Sequence, residues 1–350
     1  MSDAMGKHEQ QVRTPFITTI LGGPAGLNKM NNFLKAKSRC PDCHASFLAF
    51  EDGTCFCFSC KATFPIVEGT PVLIRHENEV FPIQVYLKNE KNVLKKPRLS
   101  ELVPSPSVNL RLTDNLKKFA AVLEGFESTA VLVLGSGKQR RWLDQFFSGT
   151  KDTLLVYCDV DAQALTDLFC DGHDLPFMDN TFHGVIATAV LEHVLYPEQV
   201  VSEIYRVLVS GGIVYSEIPF MQQVHEGPYD FTRYTLSGHR RLFNSFFEQS
   251  SGLIAGPGTA LVWAIENFGL CFTRGPLSRS FVKAGVRMLF SWLKYFDYFL
   301  TNCPAAIDGA SCTYFFGKKI IDYKNSDKSI IDQYRGAQHD HHFLHRFDAE

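Results

Sequence analysis

Residues 131–140, VLVLGSGKQR, decide the fold. The apolar run 131–134 breaks into Gly135-Ser136-Gly137. Continuous apolar character over a short run is what a parallel strand needs when helices cover both its faces. The two glycines let the backbone turn tightly and come close to a ligand, which a Cβ would block. A second apolar run, TLLVYCDVD from residue 153, reaches its acid at Asp159, 24 residues after Gly135. An acid about 20 residues on from such a turn is placed to grip ribose hydroxyls. Glycine turn, strand and acid in this order make a nucleoside-binding half of an α/β sheet. A nicotinamide dinucleotide is disfavoured, because that glycine pattern needs a third glycine where Arg140 stands.

The segments that follow narrow the nucleoside. CDGHDLPF at 170–177 precedes NTFHGVIATAVLEHV at 180–194 and RVLVSGGIVYSEIP at 206–219. This succession over 131–219 resembles the class I S-adenosylmethionine-dependent methyltransferases, in the broad group that includes the ubiquinone and menaquinone C-methyltransferases. The resemblance implies a Rossmann-like seven-stranded α/β sheet and S-adenosyl-L-methionine as methyl donor. It assigns the methionine portion to Gly135, Ser136 and Gly137, the ribose to Asp159 with Val160 beside it, and the adenine to Asp171 and Gly172. Ala189, Leu191 and His193 border the methionine end. The chain departs from the pattern at Val133, where the family usually has an acid, and at Gln139, where it usually has a third glycine.

Ahead of this domain stand two CxxC turns, Cys40-Pro-Asp-Cys43 and Cys57-Phe-Ser-Cys60, 13 residues apart. Each turn offers two thiolates, and the pair completes a tetrahedron with no open position, the pattern of structural zinc. The intervening HASFLAFEDGTCF reads as two short strands joined at Asp52-Gly53. So small a module has little core, so that zinc supplies its folding energy. Cys55 is a spare, partly buried thiol. With the continuation KATFPIVEGTPVLI, residues 37–74 resemble the zinc-ribbon activator subunit of eukaryotic methyltransferases and the similar ribbons fused to bacterial ones. That likeness implies docking on the catalytic domain. The scattered bases Lys35, Lys37, Arg39, Lys61 and Arg75 give less support to nucleic-acid contact.

Composition sets outer bounds. The chain has 350 residues, 45% hydrophobic and 21% charged, with a formal net charge of −2, which suits a globular protein and disfavours nucleic acid as a partner. Without a signal-type leader or an apolar run of membrane-spanning length, a cytoplasmic setting is expected. The expected order is a loose leader (1–35), the ribbon (36–87), a charged, proline-punctuated linker (88–107), the methyltransferase domain (108–323) and a flexible tail (324–350). Strands at 246–254 and 311–317 suit the antiparallel hairpin that ends the family's sheet. A helical insertion at about 258–304 separates them. Its second helix, 281–301, sets Lys283, Arg287, Lys294 and Asp297 on a polar stripe amid large apolar side chains. It is read as packing on the domain or a second subunit, the alternative being a peripheral membrane contact. The tail's His339, His341, His342 and His345 are read as disordered rather than metal-binding.

Ligands of an open α/β sheet sit beyond the carboxyl ends of its strands. The loop at 219–235, PFMQQVHEGPYDFTRYT, therefore faces the methyl group. His225 is read as a base for an acceptor's proton, with Asp230 orienting it or acting instead and His193 as a second candidate. Arg233 and Tyr234 are read as substrate contacts. The expected activity is methyl transfer to a small-molecule, glycan or lipid-linked acceptor, at oxygen. The alternatives are an RNA or protein methyltransferase, or a non-catalytic S-adenosylmethionine-binding protein.

Overall fold

In the computed structural model, residues 24–338 are described except 47, 52, 89–102, 138–140, 148, 150 and 151. Gln139, the tail histidines from His339 onward and most of the expected linker lie outside the described residues.

Two sheets organise the chain. The smaller is a meander of β1 (Leu48–Glu51), β2 (Thr54–Cys57), β3 (Thr63–Val67) and β4 (Thr70–Pro71). The larger contains β5 (Thr129–Leu134), β6 (Thr153–Asp159), β7 (Leu168–Phe169), β8 (Phe182–Thr188), β9 (Leu208–Pro219), β10 (Phe246–Ala255) and β11 (Cys312–Lys319). Its seven strands run in the order β10-β11-β9-β8-β5-β6-β7. Strands β7, β6, β5, β8 and β9 are parallel, and β11 and β10 close the edge as an antiparallel pair. This is the Rossmann-like methyltransferase arrangement expected, hairpin included. The chain leaves β5 toward β6 on one side and returns to β8 on the other. That reversal opens a crevice at the carboxyl end of β5, where ligands of such sheets bind.

The central strands are apolar because both faces are covered: every residue of β5 is buried. The helix Pro197–Val207 starts on Pro197, whose missing N–H costs nothing in a first turn. It lays Val200, Val201, Ile204 and Val207 on the sheet. Val133, standing where the family has an acid, packs in the cluster that includes Leu143, Phe147 and Tyr157.

Four expectations change. Residues 24–35 are not loose, since a helix spans Pro24–Lys37. Met30 and Leu34 sit one turn apart and enter the main core, and Phe33 meets Phe182 at 5.7 Å between ring centroids. Residues 324–338 are also fixed: Ser326 caps a helix at Asp327–Asp332, Ile330 is buried, and Arg335 pairs with Glu248 at 2.8 Å. The helix expected over 281–301 is broken into a helix at Pro276–Phe290, a 3-10 turn at Ser291–Phe296 and a short helix at Asp297–Leu300.

The fourth change is the polarity of that insertion. Its polar stripe faces the protein. Asp297 is buried and accepts hydrogen bonds from the amides of Gly256, Gly258 and Thr259, at 2.7–3.1 Å, and from the Thr259 hydroxyl. It thereby satisfies the N-terminal donors of the helix Pro257–Leu270. Arg287 pairs with the buried Glu266 at 2.7 Å, and Lys294 donates to the Ser105 carbonyl. The large apolar side chains are left outside. No helix among the described residues is long and apolar enough to cross a membrane.

Candidate active site

The four cysteine sulfurs of the small sheet converge within 4.8 Å of one another. Cys40–Cys60 and Cys43–Cys57 are each 3.6 Å apart, close to the ~3.8 Å edge of a tetrahedron with ~2.3 Å zinc–sulfur bonds. Each turn is built alike. The amide of Cys40 donates to Ala45 and that of His44 returns to Cys40; Cys57, Ala62 and Lys61 repeat the pattern. His44 and Lys61 hold matching left-handed φ angles of 59° and 66°. The donor set fits zinc. Cys55, the spare, is fully buried in the module's core.

This module and the helix before it pack on the β7 edge of the large sheet, at the cofactor side. Leu73 N donates to Phe169 O at 2.9 Å, and Arg39 N to Pro176 O at 3.0 Å. Arg39 and Arg75 reach Asp174 at 3.0 and 3.1 Å. Two further contacts touch predicted cofactor residues. The Tyr86 hydroxyl donates to the Val160 carbonyl at 2.6 Å, and the Asn78 amide to Asp171 Oδ2 at 2.8 Å. Asn78 and Tyr86 had no motif to mark them in the sequence.

The glycine turn lies where the strand order reverses. Gly135 and Gly137 have φ of +71° and +55°, the left-handed region that favours glycine. A Cβ on Gly135 would fall 2.3 Å from Val190 Cγ2, so the turn can sit against the 189–193 segment only with glycine there. A Cβ on Gly137 would meet nothing within 4 Å, which leaves open space above the turn. The amide of Gly137 donates to Asp159 Oδ2 at 2.7 Å, and Asp161 N to Asp159 Oδ1 at 2.8 Å. Each carboxylate oxygen keeps a lone pair for another donor. Burial raises the Asp159 carboxyl above its ordinary range, against the pull of these amides. Asp171 is half-buried, which favours its protonated form, but hydrogen bonds from His173 and Asn78 hold it below its ordinary range. Gly172 packs toward Val200 and Leu134, and Ala189, at the end of β8, holds a strained φ of +54°. An open cradle beside a ribose-type acid fits S-adenosylmethionine.

Across the crevice, the ends of β8 and β9 bring His193 and His225 together, rings edge to face with centroids 4.9 Å apart. Between them and the interior lies Glu192, fully buried. His193 Nε2 is 3.7 Å and His225 Nε2 3.9 Å from Glu192 Oε1. Burial pushes the Glu192 carboxyl up to about 8 and lowers His193. Sequence reasoning passed over Glu192; its signal was a lone acid in the apolar stretch ATAVLEHV. A second buried acid, Glu217, accepts from the Tyr215 hydroxyl at 2.5 Å and is pushed by burial up to about 7.

The remaining predicted residues divide. Asp230 is paired with Arg233 rather than left free as a base. Its burial favours protonation, but Arg233 and the His225 amide hold it down to about 2. The amide of His225 donates to Asp230 at 2.9 Å, so Asp230 positions the loop carrying that histidine. Arg233 is spent on Asp230 and on the carbonyls of Gln222, Gln223 and Thr232, leaving it no free fork for a substrate anion. Tyr234 faces away, lining a cavity with Glu198, Gly238 and Arg241. His239 and Arg240, from the next helix, are buried structural groups.

A family model described as a methyltransferase domain matches residues 134–216, which run from the glycine turn to the heart of β9. Over that stretch the chain carries a methyltransferase domain. No curated protein matches the chain. Among solved structures, the methyltransferase domain is similar to the cyclase SpnF, with 14% identity over 60% of this chain and 80% of that one, at a TM-score of 0.37. Haemonchus contortus phosphoethanolamine N-methyltransferase 2, in complex with S-adenosyl-L-methionine, shares 14% identity over 58% of this chain and 52% of that one, TM-score 0.38. A complex between a Haloferax volcanii methyltransferase activator and a methyltransferase shares 17% identity over 61% and 93%, TM-score 0.34.

Proposed function

We propose that the protein transfers a methyl group from S-adenosylmethionine to a hydroxyl oxygen of a small-molecule, sugar or lipid-linked acceptor. The observation that carries this reading is the cluster of Glu192, His193 and His225 at the reacting end of β8 and β9, joined to the glycine turn through the Val190–Gly135 approach. The donor supplies an electrophilic methyl carbon on a sulfonium. Gly135, Ser136 and Gly137 hold its methionine portion, with Ala189 at the same end. Asp159 accepts from the ribose hydroxyls, and Val160, Asp171 and Gly172 line the adenine. Alignment of the acceptor oxygen with that carbon supplies much of the rate. The Glu192–His193–His225 cluster assists loss of the hydroxyl proton, and Asp230 positions His225 through its amide. Cys40, Cys43, Cys57 and Cys60 hold a structural zinc that keeps the ribbon, and with it Asn78 and Tyr86, against the cofactor edge.

An RNA acceptor is the weaker reading. The net charge is −2, and the ribbon's Arg39 and Arg75 are paired with Asp174.

The lipid-linked class is favoured by the insertion. Phe272, Leu277, Phe281, Met288 and Phe299 are each at least 72% exposed, far beyond scattered surface apolar residues. Between Glu266 and Asp297 the sequence has five cations and no acid, and both of those acids are buried. Of the cations, Arg274 and Arg279 are exposed. Apolar side chains flanked by outward cations suit the surface of an anionic bilayer, on which this face docks.

The test is incubation of the purified protein with methyl-labelled donor and separate polar and lipid fractions of cell extract. Label should enter an acceptor, and His225→Gln should slow this ~10²–10⁴-fold while cofactor affinity stays unchanged. Donor binding without transfer to any fraction would favour the non-catalytic alternative.

A further inference from the structure

Glu192 has no exposed surface, yet neither of its carboxylate oxygens has a hydrogen-bond partner. A buried carboxylate with so little support is costly, since only its own backbone and the charge of Arg233 favour the ionised form. What faces it are two imidazoles. His193 Nδ1 lies 2.7 Å from the Tyr229 carbonyl, and His225 Nδ1 lies 3.3 Å from the Gln223 carbonyl and 3.5 Å from Asp230 Oδ2. Carbonyl oxygens only accept, so each Nδ1 donates and each ring turns its Nε2 toward Glu192. The two Nε2 atoms and the Glu192 carboxylate converge on one point, an arrangement that a bound cation would neutralise. The three ligand atoms all lie within 4.8 Å of one another.

We infer that Glu192, His193 and His225 form a second metal site, distinct from the four-cysteine ribbon, that takes a divalent transition cation and presents it to the acceptor oxygen. Ligands ~2.1 Å from one ion stand ~3.0–3.5 Å apart. The observed 3.7 and 3.9 Å need to contract by only a few tenths of an ångström. Two imidazoles and one carboxylate suit manganese, iron, cobalt or zinc; calcium and magnesium prefer oxygen cages. Three protein ligands leave positions open to an incoming oxygen. The Nδ1 contacts to Tyr229 and Gln223 are the outer partners that orient metal-binding histidines. Asp230, already neutralised by Arg233, adds no competing charge.

The role of the site rests on the methyl-transfer reading. An acceptor hydroxyl bound there releases its proton to solvent at a lower pH than it would free. Its oxygen then forms the bond to the methyl carbon as the carbon–sulfur bond breaks, and that bonding pair stays on sulfur.

The experiment is a manganese titration of the full-length, zinc-loaded protein, followed by the loss of the free-ion electron paramagnetic resonance signal. Manganese serves as probe because thiolates of the ribbon select zinc. The wild type should bind one manganese per chain, and Glu192→Gln, His193→Gln and His225→Gln should each weaken it about tenfold or more. Thermal melting identifies any variant that fails to fold, and the remaining ones then decide. Absence of bound manganese in the wild type up to millimolar concentration, or unchanged affinity in every folded variant, overturns the site. Calorimetry with S-adenosylmethionine on the same samples separates the two readings. Cofactor heat without manganese binding rejects the metal site alone, and manganese binding without cofactor heat rejects methyl transfer alone.

Discussion

Arg233 closes on the carboxylate of Asp230 with both guanidinium nitrogens, Nη2 to Oδ2 at 2.9 Å, while the Asp230 side chain is almost wholly buried. The pair is a fastener for the loop at 219–235, not a substrate clamp. Asp230→Asn and Arg233→Gln should therefore each lower stability, and their double-mutant cycle should give a coupling of about 1.5–3 kcal/mol. Denaturant unfolding measures it. A purely additive pair, with a large rise in acceptor KM for Arg233→Gln alone, would return Arg233 to the substrate.

The ribbon's contacts to Val160 and Asp171 join metal content to cofactor binding. One zinc per chain is expected, and replacing Cys57 and Cys60 with serine should abolish it. The same double variant should bind S-adenosylmethionine more weakly, since Asn78 and Tyr86 lose their support. Metal analysis reads the first effect and calorimetry the second. A full equivalent of zinc in the double variant would place the ligands elsewhere.

Much of this was legible in sequence, and what was not has identifiable causes. The glycine turn and Asp159 announced themselves because a buried parallel strand leaves a continuous apolar run and the turn after it needs glycine. The CxxC pairs were equally plain, since four thiolates in one module have few other uses. The helix Pro24–Lys37 was hidden because its apolar stripe is short, and only the landing of Met30 and Leu34 on the core fixes it. Periodicity found the stripe of Lys283, Arg287, Lys294 and Asp297 but is blind to which face meets the protein. The deciding partners, Glu266 and the amides of Gly256, Gly258 and Thr259, lie up to 41 residues away. Glu192 was missed for a like reason: its burial is completed by the later loop, whose Phe231 and Thr232 amides bond the Glu192 carbonyl.

The outward aromatic face predicts lipid dependence. Sedimentation with vesicles of phosphatidylcholine and phosphatidylglycerol should pull down the wild type, more weakly at high salt and hardly at all with phosphatidylcholine alone. Phe281→Asp with Phe299→Asp should abolish it without changing the melting temperature, since both side chains are at least 77% exposed. Equal sedimentation of wild type and variant would remove the lipid surface as the partner of this face.

The central claim is that the crevice beside Gly135 and Gly137 holds S-adenosylmethionine, and calorimetry with the full-length protein tests it most directly. Heat of binding is expected for S-adenosylmethionine and for its demethylated product, with none for NAD. Asp159→Ala should weaken both by about 1.5–3 kcal/mol, because the ribose hydroxyls lose a charged acceptor. Absence of heat with either ligand up to millimolar concentration, or an Asp159→Ala variant that binds as tightly as the wild type, would contradict the account.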